Sequence, residues 1–292
     1  MIANPRSRGV VPSRAAVLCL SLCIVSSSNG VSQVAVNISD SANQLIRAVI
    51  ANELRQSAED PSRWAYEVAT TDEDGKQRVK RVVELRDGSV ERLLAINGRP
   101  LNSQEETAES KRIVEFVNSK QEQEKASRAQ EKDAAQCIEF LKKIPEAFMF
   151  DDGGRVGDFR RLTFKPNPSF QSHSWQDRIL HAMEGEMLVS PSEFRLVAMR
   201  GRLVEDVKFG GGLLGHLQRG GEFHLERHNI GDGHWEMTNL EVNMTGKALL
   251  FKSISIQHKE AKSSFRRVGD NLAAHDAAGE LNSNIVLASE QR

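Results

Sequence analysis

From Glu184 to Lys259 apolar and polar side chains alternate in several short runs. Phe223 and Leu225 alternate with Glu222, His224 and Glu226, and Ile254 and Ile256 with Ser253, Ser255 and Gln257. A period of two places one set of side chains on each face of a strand. The stretch therefore predicts consecutive antiparallel strands with one buried and one wet face. Arg63–Thr71 alternates in the same way, with Trp64, Tyr66 and Val68 on one side. Lys76–Arg86 and Ser89–Asn97 are two more strand candidates, and the turn sequences at residues 72–75, Asp87-Gly88 and Asn97-Gly98 make the three a meander. Phe148–Lys165 reads as strand again, with a turn at residues 151–154 and an end at Pro166.

The period lengthens elsewhere. In Asn37–Ser57, Leu45, Ile46, Val49, Ile50 and Leu54 recur at helical spacing, and Ser39 or Asp40 can cap the helix. Ser103 and Glu106 match a capping box, which opens a helical stretch reaching about Lys143. Its ends are apolar, but Asn118–Gln136 carries nothing larger than alanine among many Glu, Lys and Gln. A helix polar all round has no face to bury, so this middle should protrude or break into two helices. Ser172–Met183 reads as a short helix or a loop. The tail from Gly269 is polar and alanine-rich and is expected to fray.

The hairpin around Asp232-Gly233 can be read more finely. Both central positions of a type I′ turn need positive φ, which these two residues supply. As a two-residue loop they set Phe223 opposite Val242, Leu225 opposite Leu240, His224 opposite Glu241, Glu226 opposite Asn239 and Ile230 opposite Trp235. The apolar pairs then share one face. Taken together, residues 31–268 predict one α+β domain: a strongly curved antiparallel sheet, an unclosed β-barrel, with helices packed on its concave side, a charged helical insertion at 102–143 and a flexible tail at 269–292.

Composition narrows the function classes. The 292 residues carry a formal net charge of -1 and 5% aromatics, which gives neither a field nor a stacking face for nucleic acid. Arg6, Arg8 and Arg14 precede the apolar run at 15–25, and small residues follow up to Gly30. That order is a secretory signal peptide over residues 1–30, with the mature chain starting near Val31 in the periplasm or outside the cell. Leu18 and Leu22 precede Cys19 and Cys23, where lipidation needs a small residue. Cys137 is then the one thiol left. No second apolar run reaches membrane length, so no stable membrane span is expected.

Candidate chemistry is sparse. His224 and His228 lie four apart, but on a strand that separation is about 13 Å, too far to share one metal ion. Gly210–Gly212 and Gly220-Gly221 lack the phosphate-loop pattern and suit a bulge or wide loop, and no Gly-x-Ser-x-Gly elbow occurs. Asp151 and Asp152 sit in turn sequence. Asn37 and Asn243 begin glycan-acceptor triplets. The expectation is a non-enzymatic protein with no catalytic residue, metal or cofactor.

The order is signal peptide, amphipathic helix, strand meander, helical insertion and second long meander. It resembles the bacterial outer-membrane lipoprotein-sorting proteins, the LolA/LolB-like fold. The residues that carry the resemblance are Arg63-Trp-Ala-Tyr-Glu-Val, Phe159-Arg-Arg-Leu-Thr-Phe-Lys-Pro-Asn-Pro, Glu184-Gly-Glu-Met-Leu-Val and Phe194-Arg-Leu-Val-Ala-Met-Arg-Gly. The resemblance implies a carrier that holds an acyl chain, or a lipoprotein through its acyl chains, between an unclosed barrel and its helices. Leu45, Ile50, Trp64, Tyr66, Phe164, Leu188, Phe194 and Leu196 are the candidate lining. The insertion at 102–143 departs from short carriers. It motivates the alternative, an envelope regulatory or scaffold protein that binds a protein partner through this charged helix.

Overall fold

A computed structural model describes residues 42–209, 215–248 and 252–289. The signal segment, Ser39 and Asp40, the Asn37 acceptor and Gly210–Gly212 lie outside these. The chain begins with α1 (Ala42–Glu59), followed by strands β1 (Arg63–Thr71), β2 (Gln77–Leu85), β3 (Gly88–Ile96) and the short β4 (Arg99–Pro100). Helices α2 (Ser103–Asn118) and α3 (Lys120–Ala147) come next, then β5 (Phe148–Val156), β6 (Phe159–Pro166), α4 (Trp175–His181), β7 (Met183–Ser190) and β8 (Arg195–Leu203). The chain continues through β9 (Val207–Phe209), β10 (Gly215–Leu217), β11 (Glu222–Gly231), β12 (His234–Ala248), β13 (Lys252–Val268) and α5 (Ala274–Ser289).

The fold is α+β. Its 13 strands form one antiparallel sheet in the order β4-β3-β2-β1-β13-β12-β11-β8-β7-β6-β5, and the β9–β10 pair attaches to the end of β12. The sheet does not close on itself. Yet α3 touches both β3 and β5, which stand at opposite ends of the strand order. One helix therefore meets strands from both ends of the strand order. Two of the central strands approach closely. Gly185 and Gly201 face each other across β7 and β8, and a Cβ at Gly201 would sit 2.6 Å from the Phe223 ring.

Two hydrophobic cores occupy opposite faces. The larger joins Leu45, Ile46, Val49 and Ile50 of α1 and Leu141 and Ile144 of α3 to Phe164, Met187, Met199, Leu225 and Leu240 of the sheet. The smaller joins Ala65, Val83 and Val90 to Ile113 and Val117 of α2 and Ala277, Ala278 and Leu281 of α5. Pairing shows the change of face. Leu240 sits opposite Glu260, and Glu260 opposite Thr70, so the larger core's side of β1 holds residues 64, 66, 68 and 70. Ala65 and its partner Val83 point the other way.

Several expectations shift in detail. The capping box starts one residue earlier: the Asn102 side chain accepts from Gln104 and Glu105, and Glu105 Oε2 accepts from the Asn102 amide at 2.9 Å. Arg99 holds Glu105 through both oxygens at 2.7 Å, which favours that register. The polar helix breaks at Ser119, whose hydroxyl caps α3. Residues 151–154 stay within β5, where a register shift takes up the glycines, and the turn falls at Gly157-Asp158. The segment beyond Gly269 forms α5 and buries Leu281 fully. Its alanines let the helix lie close on β2 and β3, a gain that composition alone does not display.

The hairpin takes its predicted register from Glu222 to Glu226 and its predicted turn, with positive φ at Asp232 and Gly233. Near the turn the prediction fails. A bulge follows Glu226, so Asn229 rather than Ile230 stands opposite Trp235. Trp235 is buried, and so are His234 and Glu236 on the other side of the strand.

Candidate functional site

The larger core places most of the predicted lining. Leu45, Ile50, Phe164 and Leu196 are buried in it, and Phe194, with φ +52°, packs at its margin. Leu188 does not join them. It pairs with Arg161 and Ala198 on the opposite face, because its neighbour Met187 takes the inward position. Trp64 and Tyr66 lie beside the core, in a polar cluster.

Beneath α1 the core contains ions. Glu53 falls in phase with Leu45 and Val49 on the buried stripe, and its side chain is 1% exposed. Arg227 Nη1 donates to its Oε1 at 2.7 Å and Arg195 Nη1 to its Oε2 at 3.0 Å, while the Leu196 amide donates to Oε1 at 2.9 Å. Arg227 also donates to the Trp235 carbonyl at 2.7 Å. Burial lowers the Arg195 pKa, attraction from Glu53 opposes the shift and repulsion from Arg227 adds to it. The group pins α1 to β8 and β11 by directional bonds.

A second polar cluster lies where the turn after α1 meets β1, β2, β12 and β13. Asp60 accepts from the Ser62 amide at 2.7 Å and stands 2.9 Å from His234 Nδ1. Trp64 Nε1 donates to Ser62 Oγ at 3.0 Å, and the Trp64 and His234 rings lie 5.2 Å apart. His234 Nε2 is 3.8 Å from Glu236, and Lys262 is 2.8 Å from Glu236 and 3.8 Å from Glu260. The Lys262 ammonium lies 5.1 Å from the Tyr66 ring centre, and His258 is 3.4 Å from Glu260.

Charge balance shapes this cluster. Burial works against the Glu236 charge, but Lys262 and His234 outweigh it and hold the carboxyl below the usual glutamate range. Glu260 is likewise lowered against burial, by His258 and Lys262. Glu84 behaves in the opposite way. It is half-buried as a residue, and enclosure of its carboxyl together with repulsion from Glu236 pushes its pKa up to about 7. Its Oε2 accepts from the Trp64 amide at 3.0 Å. Ser62, His234 and Asp60 are residue types of a hydrolytic triad, but Ser62 and Asp60 approach the same imidazole nitrogen. A charge relay needs them on different nitrogens, so the trio orients β1 and β12.

The face away from the larger core carries a trough of about 950 Å³. Its floor is a cross-strand ladder of Glu186, Arg200, His224, Glu241 and Lys259, one residue per strand. Glu186 pairs with Arg200 at 3.0 Å, Glu184 with Arg202 at 2.7 Å and Glu241 with Lys259 at 3.3 Å. His224 stands 3.3 Å from Glu226, while the His228 ring meets Thr238 at 2.7 Å, so the two histidines have separate partners. Among the described residues no group of three or more His, Cys, Asp or Glu is arranged to hold a metal, and no helix is long and apolar enough to cross a membrane.

Sequence reading passed over Glu53, Arg195, Arg227, His234, Glu236 and Lys262. A signal existed for two of them: Glu53 sits in phase on an apolar helical stripe, and Arg227 follows Phe223 and Leu225 at period two. Opposite charges at two core positions point to each other. Comparison with protein-family models, with characterised proteins and with solved structures finds no match to this chain.

Proposed function

We propose that this is an exported, non-catalytic carrier that shelters an apolar ligand, an acyl chain or the acyl part of a lipoprotein, between the sheet and α1. On this reading the helix-covered face is the concave side of an unclosed barrel, as in the LolA/LolB-like proteins that its element order resembles, and the periplasm is its compartment. The observation that carries the reading is the way α1 is held. Its stripe of Leu45, Ile46, Val49 and Ile50 covers the larger apolar core of the sheet, while a buried polar latch, Glu53 with Arg195 and Arg227, fixes its position. A buried ion pair adds less net stability than apolar packing of the same volume but specifies one geometry, which suits a cover that leaves and returns. Leu45, Ile50, Phe164 and Leu196 are the acyl contacts.

Extraction and mass spectrometry of protein purified from the cells that make it tests the reading, with titration of a pyrene-labelled fatty acid alongside. Co-purifying acyl lipid, saturable probe binding and tighter binding by Glu53→Gln are expected. Absence of lipid together with absence of saturable binding in both proteins would overturn it. The scaffold alternative rests on a separate observation. Residues 120–136 of α3 are mostly exposed and carry surface ion pairs such as Arg128–Glu124. Capture of an envelope protein that is lost on deleting 120–136 supports it.

A further inference from the structure

The cluster beside β1 contains more acid than base. Asp60 from the turn after α1, Glu84 from β2, Glu236 from β12 and Glu260 from β13 converge on it, and Glu53 of α1 lies next to them through Arg227. Against these five carboxyls stand three fixed cations: Lys262 of β13, Arg227 of β11 and Arg195 of β8. The other titratable groups facing the cluster are His234, His258 and Tyr66, with Glu193 beside Arg195. The nearby Lys80–Glu91 and Arg267–Asp232 pairs are open to solvent and balance themselves. Uncompensated charge in an enclosed site is strongly disfavoured, so the group settles near neutrality by binding protons. Glu84, enclosed and repelled by Glu236, is the carboxyl placed to take one up.

We infer that the cluster is a proton-loaded clasp, which holds β1 and β2 against β12 and β13 while the enclosed Glu84 carboxyl carries a proton, and which loosens as that proton leaves. The geometry makes the coupling direct. Glu84 accepts from the Trp64 amide, and the Trp64 ring packs on His234 of β12, so charge gained at Glu84 acts on the start of β1. Glu84 sets the window. Its folded pKa, about 7, lies above the ordinary glutamate value of 4.5. The stability it contributes is therefore complete below about pH 4.5 and is lost as pH rises to about 7. Carboxylates with lowered pKa act in the reverse direction and only in acid.

Urea unfolding of wild type and Glu84→Gln at steps from about pH 4.5 to about pH 8 tests the clasp. The amide imitates the protonated carboxyl at every pH. Relative to wild type, the folding constant of the variant should rise tenfold or more across this range. Parallel profiles would overturn the inference. If Glu84→Gln does not fold, wild type decides alone: unfolding at pH 7, followed with an indicator dye, should release about half a proton per chain. No release, or uptake, refutes the clasp. Neither result depends on whether an acyl ligand binds.

Discussion

The latch beneath α1 and the clasp beside β1 bury similar side chains with opposite charge balance. The latch sets one carboxylate against two guanidiniums and fills both Glu53 oxygens from Arg195, Arg227 and the Leu196 amide. Arginine stays charged at any pH the fold survives, so the two guanidiniums cannot shed the latch's positive excess. The clasp sets four carboxyls around Lys262 and leaves Glu84 to take up a proton. The contrast teaches that burial alone does not make an ionic group pH-sensitive. The sign of the leftover charge does, because excess acid can be neutralised by protons near neutral pH and excess arginine cannot be relieved by losing them.

The largest expected effect lies between the two groups. Leu225 is 1% exposed, two residues before Arg227. Leu225→Asp places an unpaired charge there, and circular dichroism should show no cooperative unfolding transition. Glu53→Ala leaves two buried guanidiniums without a carboxylate and should cost about 3–5 kcal/mol in urea unfolding. The triple variant Glu53→Leu, Arg195→Met, Arg227→Met sharpens the point. It should return to within ~2 kcal/mol of wild type, since the ions are removed together.

The smaller core should respond less. Leu281→Ala on α5 should cost about 2–3 kcal/mol, because the neighbouring alanines leave little to collapse into the cavity. Acid titration then separates the ionic groups. Glu236 and Glu260 have folded pKa values below the ordinary range, so their stabilisation is present above about pH 4.5 and is lost as pH falls through the folded values. The urea midpoint should drop there, by roughly 1 kcal/mol per pH unit for each proton taken up. The trough supplies the smallest effects. Its ion pairs are exposed, and Arg202→Ala or His224→Ala should change stability by no more than ~1 kcal/mol. A larger loss at either would mean that the ladder, and not the buried groups, organises the sheet.

Local order was largely written in the sequence. The two-residue period of β11 and β12 and the positive φ demanded by Asp232-Gly233 fix their register from Glu222 to Glu226, because a slip of one residue would expose Leu225 and Leu240. The 3.6-residue stripe of α1 and the break in the polar helix follow from which positions can bury a side chain. Tertiary structure decided the rest. The bulge after Glu226 sets Arg227 opposite Met237 and Asn229 opposite Trp235, and α5 packs only because β2 and β3 present a second apolar face. Leu188 and Met187 are equally apolar neighbours, and only pairing across β6, β7 and β8 selects which one faces inward. Glu53, Arg195 and Arg227 lie far apart in the chain, so the arrangement that pairs their charges exists only once the sheet has formed beneath α1. Periodicity is a local property and can be read along the chain, whereas the balance of buried charge is a sum over distant residues that the folded chain alone brings together.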